Sequence, residues 1–166
     1  MSTEASPLAQ AVAVAKGVEI QHVSLQAATL RTQIDPLEPP KEVVLSQSHR
    51  TRYELPEKHP GKIFVSVEFD CSGAGDPSRG DTSLKLSATY LLIYTHPDPS
   101  SLPAESLEAF ARLNGVYNAW PYWRELIQTV SGRIGLGPLV VPVFRTTAGG
   151  TATGTATATA TATAGD

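Results

Sequence analysis

Lys62-Ile-Phe-Val-Ser-Val-Glu-Phe-Asp-Cys71 decides the fold class, because Ile63, Val65, Val67, Phe69 and Cys71 alternate with Lys62, Ser66, Glu68 and Asp70. Successive strand residues face opposite ways, so this period marks a strand with one face on a core. Downstream, Gly73 to Asp81 reads as a polar hairpin loop. Leu84, Leu86, Ala88, Tyr90, Leu92 and Tyr94 then alternate as the next strand. Its end, Tyr90-Leu-Leu-Ile-Tyr94, is apolar at every position, which predicts cover on both faces.

Upstream, Val43 to Leu55 is a third strand, with Val43, Leu45, Tyr53 and Leu55 on one face and Gln47, His49 and Thr51 between them. That order predicts burial at the ends and a wetter middle. Val18 to Leu30 is a fourth. Val18 and Ile20 have one parity and Val23 and Leu25 the other. A bulge near Gln21-His22 would bring all four to one buried face. Three prolines in Ile34-Asp-Pro-Leu-Glu-Pro-Pro40 separate these two strands.

After Pro97 the period lengthens. Pro103 and Glu105 suit a helix first turn, Leu107, Phe110, Ala111 and Asn114 follow at helical spacing, and Gly115 ends or loosens the helix. A second helix opens around Pro121. Its stripe is Trp123, Leu126, Ile127, Val130 and Ile134, with Arg133 in the last turn and Gly135 and Gly137-Pro138 stopping it. The expected fold is α+β, a four-stranded antiparallel meander with two C-terminal helices on one face. Residues 1–17 are expected to form a flexible extension, 18–145 the domain, and 146–166 a Thr/Ala/Gly tail without regular structure.

Composition narrows the function. A net charge of −3 and the lack of a basic run argue against nucleic acid, since such binders gather Lys and Arg on one surface. The nearest approach, His49-Arg-Thr-Arg52, reads as a solvated strand face. Glu4 replaces the positive charge a secretion signal needs, and no apolar run approaches the roughly 18 residues of a spanning helix. With one cysteine, Cys71, no internal disulfide forms, and a cytoplasmic protein without membrane insertion is expected.

Catalytic groups find little support. His22, His49, His59 and His96 are dispersed, and none forms a ligand pair, so no metal and no cofactor is expected. Cys71 lacks a flanking Lys, Arg or His and reads as a buried structural thiol. Glu68 and Asp70 share a solvent face. Gly73-Ala-Gly75 lies in a hairpin and Gly132 to Gly137 after a helix, so neither is a phosphate cradle. Arg79-Gly-Asp81 reads as a loop coincidence. No enzyme is expected.

The aromatic segment stands apart. Tyr117, Trp120, Tyr122 and Trp123 fall within seven residues of a chain that is 7% aromatic. Each ring buries about 150–250 Å², or about 4–6 kcal/mol at most. A helix cannot turn all four inward. Trp123 continues the core stripe, which leaves Tyr117, Trp120 and Tyr122 to internal packing, a subunit interface, or a ligand or partner chain.

Leu113 to Val143 resembles the helical region of the SecB export chaperones. The matching pieces are Gly115-Val-Tyr117, Trp120-Pro-Tyr-Trp-Arg-Glu125, Val130-Ser-Gly-Arg133 and Pro142-Val143, with Glu19-Ile-Gln21 near the first strand. The resemblance implies an ATP-independent holdase, assembled as a homotetrameric dimer of dimers, that captures unfolded or precursor polypeptides and delivers them to the SecA motor. It also implies that Tyr117 lines an aromatic subsite of a peptide-binding groove, and Trp120 and Tyr122 from the same segment join it as groove candidates. Three departures accompany it. Thr32 to Lys41 carries no Trp, Pro and Ser fill the link after Tyr94, and the Thr-Ala tail stands where the family has a helix. A dedicated chaperone or scaffold for one partner, such as a toxin–antitoxin pair, is the alternative.

Overall fold

The computed structural model describes residues 6–40, 42–75, 84–137, 139–141, 144 and 155–159. Its elements are α1 (Pro7–Ala15), β1 (Glu19–Thr32), β2 (Glu42–Glu54), β3 (Lys62–Ala74), β4 (Leu84–Thr95), α2 (Ala104–Phe110), a π-helical turn (Ala111–Gly115), α3 (Val116–Arg133) and β5 (Thr155–Thr159). The strands form one antiparallel sheet in the order β1-β4-β3-β2-β5. The α+β class therefore stands. The meander holds for β2, β3 and β4, whereas β1 lies beside β4 and not beside β2. That placement makes β1 an edge strand. Its side chains differ from expectation too. Ile20 and Leu25, expected on a buried face, are each 47% exposed.

Two compact units divide the chain. The first takes in Met1–Gln26, His49–Glu68 and Thr89–Ala119. Here the expected flexible N-terminus contains α1. Ser6 caps it by accepting from the Ala9 amide, Pro7 presets its first turn, and Ala11 and Val14 are buried where α1 packs on α2. In a short helix rich in Ala and Val, this packing outweighs the weak local preference for order. The π-helical turn brings Gly115 onto β3, where a Cβ would meet Val65 Cγ1 at 2.7 Å. Tyr94 packs edge-on against Phe110 at 4.9 Å and accepts a hydrogen bond from Asn118 Nδ2 at 2.9 Å. Burial pushes the Tyr94 phenol up to about 12, against the smaller opposing effect of that bond.

The second unit takes in Ala27–Ser48, Phe69–Ala88 and Trp120–Asp166. Its buried apolar residues include Val43 and Leu45 of β2, Phe69 and Cys71 of β3, and Trp123 and Ile127 of α3. Gly73 lets β3 approach β2, since a Cβ there would stand 2.8 Å from Val43 Cγ1. On β2 the buried end is the first one: Val43 and Leu45 are fully buried and Gln47 is 7% exposed, while Leu55 beyond the strand is 38% exposed. Gly135, at φ 83°, closes α3, with the Leu136 amide bonded to the Ser131 carbonyl at 3.1 Å.

The burial pattern of β3 alternates without a break, as its sequence predicts. Gly115 meets Val65 in the first unit, and Trp123 meets Phe69 in the second. Two boundaries differ from expectation. α3 begins at Val116 and holds Pro121 inside it, because Gly115 serves as a close contact and not as a terminator. In the tail, Thr155–Thr159 form β5, since alternating β-branched Thr suits an open strand edge. Arg79-Gly-Asp81, Pro142-Val143 and the rest of the tail lie outside the described residues.

Candidate functional site

The aromatic segment at the start of α3 separates its rings by burial. In the second unit Trp123 is fully buried and stacks on Phe69 with centroids 5.2 Å apart and planes 9° from parallel. Its Nε1 donates to Gln47 Oε1 at 2.9 Å, which fixes the amide orientation. Gln47 Nε2 then has no hydrogen-bond partner among the described residues, although it is buried. Trp120 meets the edge of Phe69 at 5.7 Å and lies 5.3 Å from Phe144, so only 9% of it is exposed. Phe69 thus carries both indoles. Tyr122, one residue from Trp123, is 45% exposed.

Past α3, Arg124 Nε donates to the Val141 carbonyl at 2.8 Å, and Ser131 Oγ accepts from the Leu139 amide at 3.1 Å. These bonds tie the extended exit segment to the helix and leave Val140 61% exposed between buried Leu139 and Val141.

In the first unit Val116 and Ala119 are fully buried while Tyr117 is 64% exposed. A cleft of about 380 Å³ is lined there by Thr51, Arg52 and Tyr53 of β2 and by Glu108, Ala111 and Arg112. Of the three rings singled out by sequence, Tyr117 and Tyr122 present their surface to solvent and Trp120 packs on Phe69 and Phe144.

Other apolar surface escaped sequence reading. Ile20, Leu25 and Leu30 of β1 are 40–47% exposed, and Leu8 and Val12 project from α1. The signal for the helix was present in Ser6-Pro7, a cap followed by a first-turn proline. No local signal tells an edge strand from a central one.

Burial shifts two further titratable groups. Burial pushes the Cys71 thiol up to about 12, so the thiolate is scarce at neutral pH. Burial likewise lowers His49 and favours neutral imidazole. Among the described residues no cluster of His, Cys, Asp or Glu could hold a metal ion, and no helix is long and apolar enough to cross a membrane.

No protein-family model and no curated protein matches the chain by sequence. In structure it is similar to the SecB-like chaperone Rv1957 of Mycobacterium tuberculosis, solved in complex with a ChAD peptide from the antitoxin Rv1956 HigA1. The TM-score is 0.73 at 14% sequence identity, over 84% of this chain and 100% of the other. The chain has the fold of a SecB-like chaperone.

Proposed function

We propose that this chain is a nucleotide-independent, non-enzymatic chaperone of the cytoplasm that holds unfolded or precursor polypeptides. The observation that carries the reading is a pair of exposed tyrosines on a SecB-like fold: Tyr117 is 64% and Tyr122 45% exposed, whereas Trp123 is fully buried. Tyrosine offers an apolar face and a polar tip, so it accepts varied apolar side chains without a fixed partner geometry. Trp120 and Trp123 pack on Phe69 and hold their part of the helix in place. Delivery to the SecA motor is the export form of the same function.

The double change Tyr117→Ala/Tyr122→Ala removes exposed rings only, so the fold should persist. Suppression of the aggregation of a chemically unfolded client should weaken about tenfold in the chaperone concentration required, as expected if about 1.4 kcal/mol of contact is lost. Equal suppression by the variant would remove these tyrosines from the site.

A second reading, a dedicated chaperone for one toxin–antitoxin partner, draws support from the antitoxin peptide bound to Rv1957. It predicts capture of a single protein that unfolded clients do not displace.

Assembly fits either reading. β1 is a 14-residue edge strand with exposed apolar residues, the kind of edge that pairs with another chain. Laid antiparallel on a second copy about a two-fold axis at Leu25, it would place Glu19 opposite Arg31 and Ile20 opposite Leu30. Leu25→Arg would then set like charges on the axis and halve the mass in solution, and so would Leu25→Glu. Mixing the two variants should restore the assembly. An unchanged mass in both would exclude this interface.

A further inference from the structure

The outer edge of β2 is divided by chemistry. Its first part, Glu42-Val-Val-Leu-Ser46, includes three successive apolar residues, and its last part carries Arg50, Arg52 and Glu54. Arg50 pairs with Glu68 of β3 at 2.9 Å, and Arg52 approaches Glu54 at 3.9 Å. Charged side chains guard a strand edge against unwanted pairing, whereas an apolar run invites it. β5 covers the apolar run and stops short of the charged part. Its register pairs Glu42 with Thr159, Val43 with Ala158, Val44 with Thr157, Leu45 with Ala156 and Ser46 with Thr155.

The covering strand has an unusual sequence. From Thr155 to Ala164 Thr and Ala alternate strictly, so a slip of two residues presents the same residue types to β2. Register is then poorly specified, and the strand is held by backbone hydrogen bonds that any extended polypeptide can replace. From Thr146 to Ala164 there is no ionisable side chain and no side chain larger than Thr. Such a strand leaves little apolar area to bury, so a segment with larger alternate side chains binds the same edge more tightly.

We infer that the apolar part of the β2 edge is a docking site for an extended polypeptide segment, and that the Thr-Ala strand is its resident, displaceable occupant. The inference rests on the chaperone reading for the identity of the incoming segment. The tethered strand keeps the edge from pairing with other copies of the chain, and a client must displace it. Apparent affinity is reduced by the fraction of time the edge is open, so cover for about nine-tenths of the time weakens capture about tenfold.

Three chains test this: the full chain, one ending at Arg145, and one with residues 151–164 replaced by a Gly-Ser repeat of equal length. The first readout needs no client. Those amides of residues 42–46 that β3 leaves unpaired should exchange with solvent faster in both altered chains. Equal exchange in all three would overturn the occupancy. The second readout is the Kd for fluorescein-labelled, reduced and carboxymethylated α-lactalbumin, a chain that stays unfolded. Both altered chains should bind it about tenfold more tightly than the full chain. Equal affinity would overturn the docking assignment while leaving the chaperone reading intact. Absence of binding by all three would refute the chaperone reading and the docking assignment together, and exchange would still decide whether β5 covers the edge.

Discussion

Trp123→Ala should destabilise the protein by about 3–5 kcal/mol, a large share of the roughly 5–15 kcal/mol that holds a domain folded. Three losses coincide. The indole is fully buried, so its removal opens a cavity in a packed interior. Its stacking on Phe69 disappears, and Phe69 also carries Trp120. Gln47 Oε1 loses its donor, and since Gln47 Nε2 already lacks a partner among the described residues, the whole amide becomes an unsatisfied buried group. Urea unfolding should show the loss as a lower midpoint with an unchanged slope.

Two further variants separate packing from hydrogen bonding. Trp123→Phe keeps most of the ring and deletes the donor, so it should cost about 1–3 kcal/mol beyond its lost area. Adding Gln47→Leu removes the stranded acceptor and the orphaned Nε2 together. The double variant should therefore be more stable than Trp123→Phe alone. If the two changes are simply additive, the Trp123–Gln47 bond carries no coupling energy and the assignment fails.

Gly115→Ala should be the second large effect, and its sign depends on two opposed terms. Replacing Gly by Ala within a helix ordinarily stabilises by about 1 kcal/mol. Here the new methyl would stand 2.7 Å from Val65 Cγ1, and Val65 is fully buried in β3 and stiff at its branched Cβ. Overpacking of that kind costs about 1–3 kcal/mol. The clash should win, giving a net loss near 1 kcal/mol for Ala and more for Val. Val65→Ala, destabilising by itself, should rescue Gly115→Ala by making the space it needs. Thermal unfolding of the four-member cycle checks this, and a stabilised Gly115→Ala would show that the helix is free to move away from β3.

These two sites also mark what the sequence makes legible. Spacing to Leu126, Ile127 and Val130 places Trp123 in the core, and strict alternation identifies β3, because both periods follow from backbone geometry. Gly115 reads in the sequence as ending or loosening the helix, and the turn that it closes is π-helical. Helical turns continue through it, since its missing side chain serves a contact with Val65, a residue 50 positions earlier in the chain. Pro121 misled for the same reason: with α2 and the π-helical turn ahead of it, α3 starts at Val116 without needing a proline.

Long-range pairing accounts for the rest. Nothing in Ile20, Val23 and Leu25 says that β1 lies next to β4 at an edge, so the sequence pattern looked like a buried face. Residues 1–17 read in the sequence as a flexible extension, and the order of α1 depends on a surface supplied by α2. In the aromatic segment, sequence isolated four rings but not their division. Trp120 and Trp123 share Phe69, a strand residue more than fifty positions away, and Tyr117 and Tyr122 remain exposed.

The central claim is that the chain recognises the unfolded state of its clients without nucleotide. Isothermal titration with one protein in two forms, native and permanently unfolded by reduction and carboxymethylation, tests it directly. The account predicts saturable binding of the unfolded form, unchanged by added ATP, and none of the native form. Binding of neither form, or of the native form alone, would contradict it.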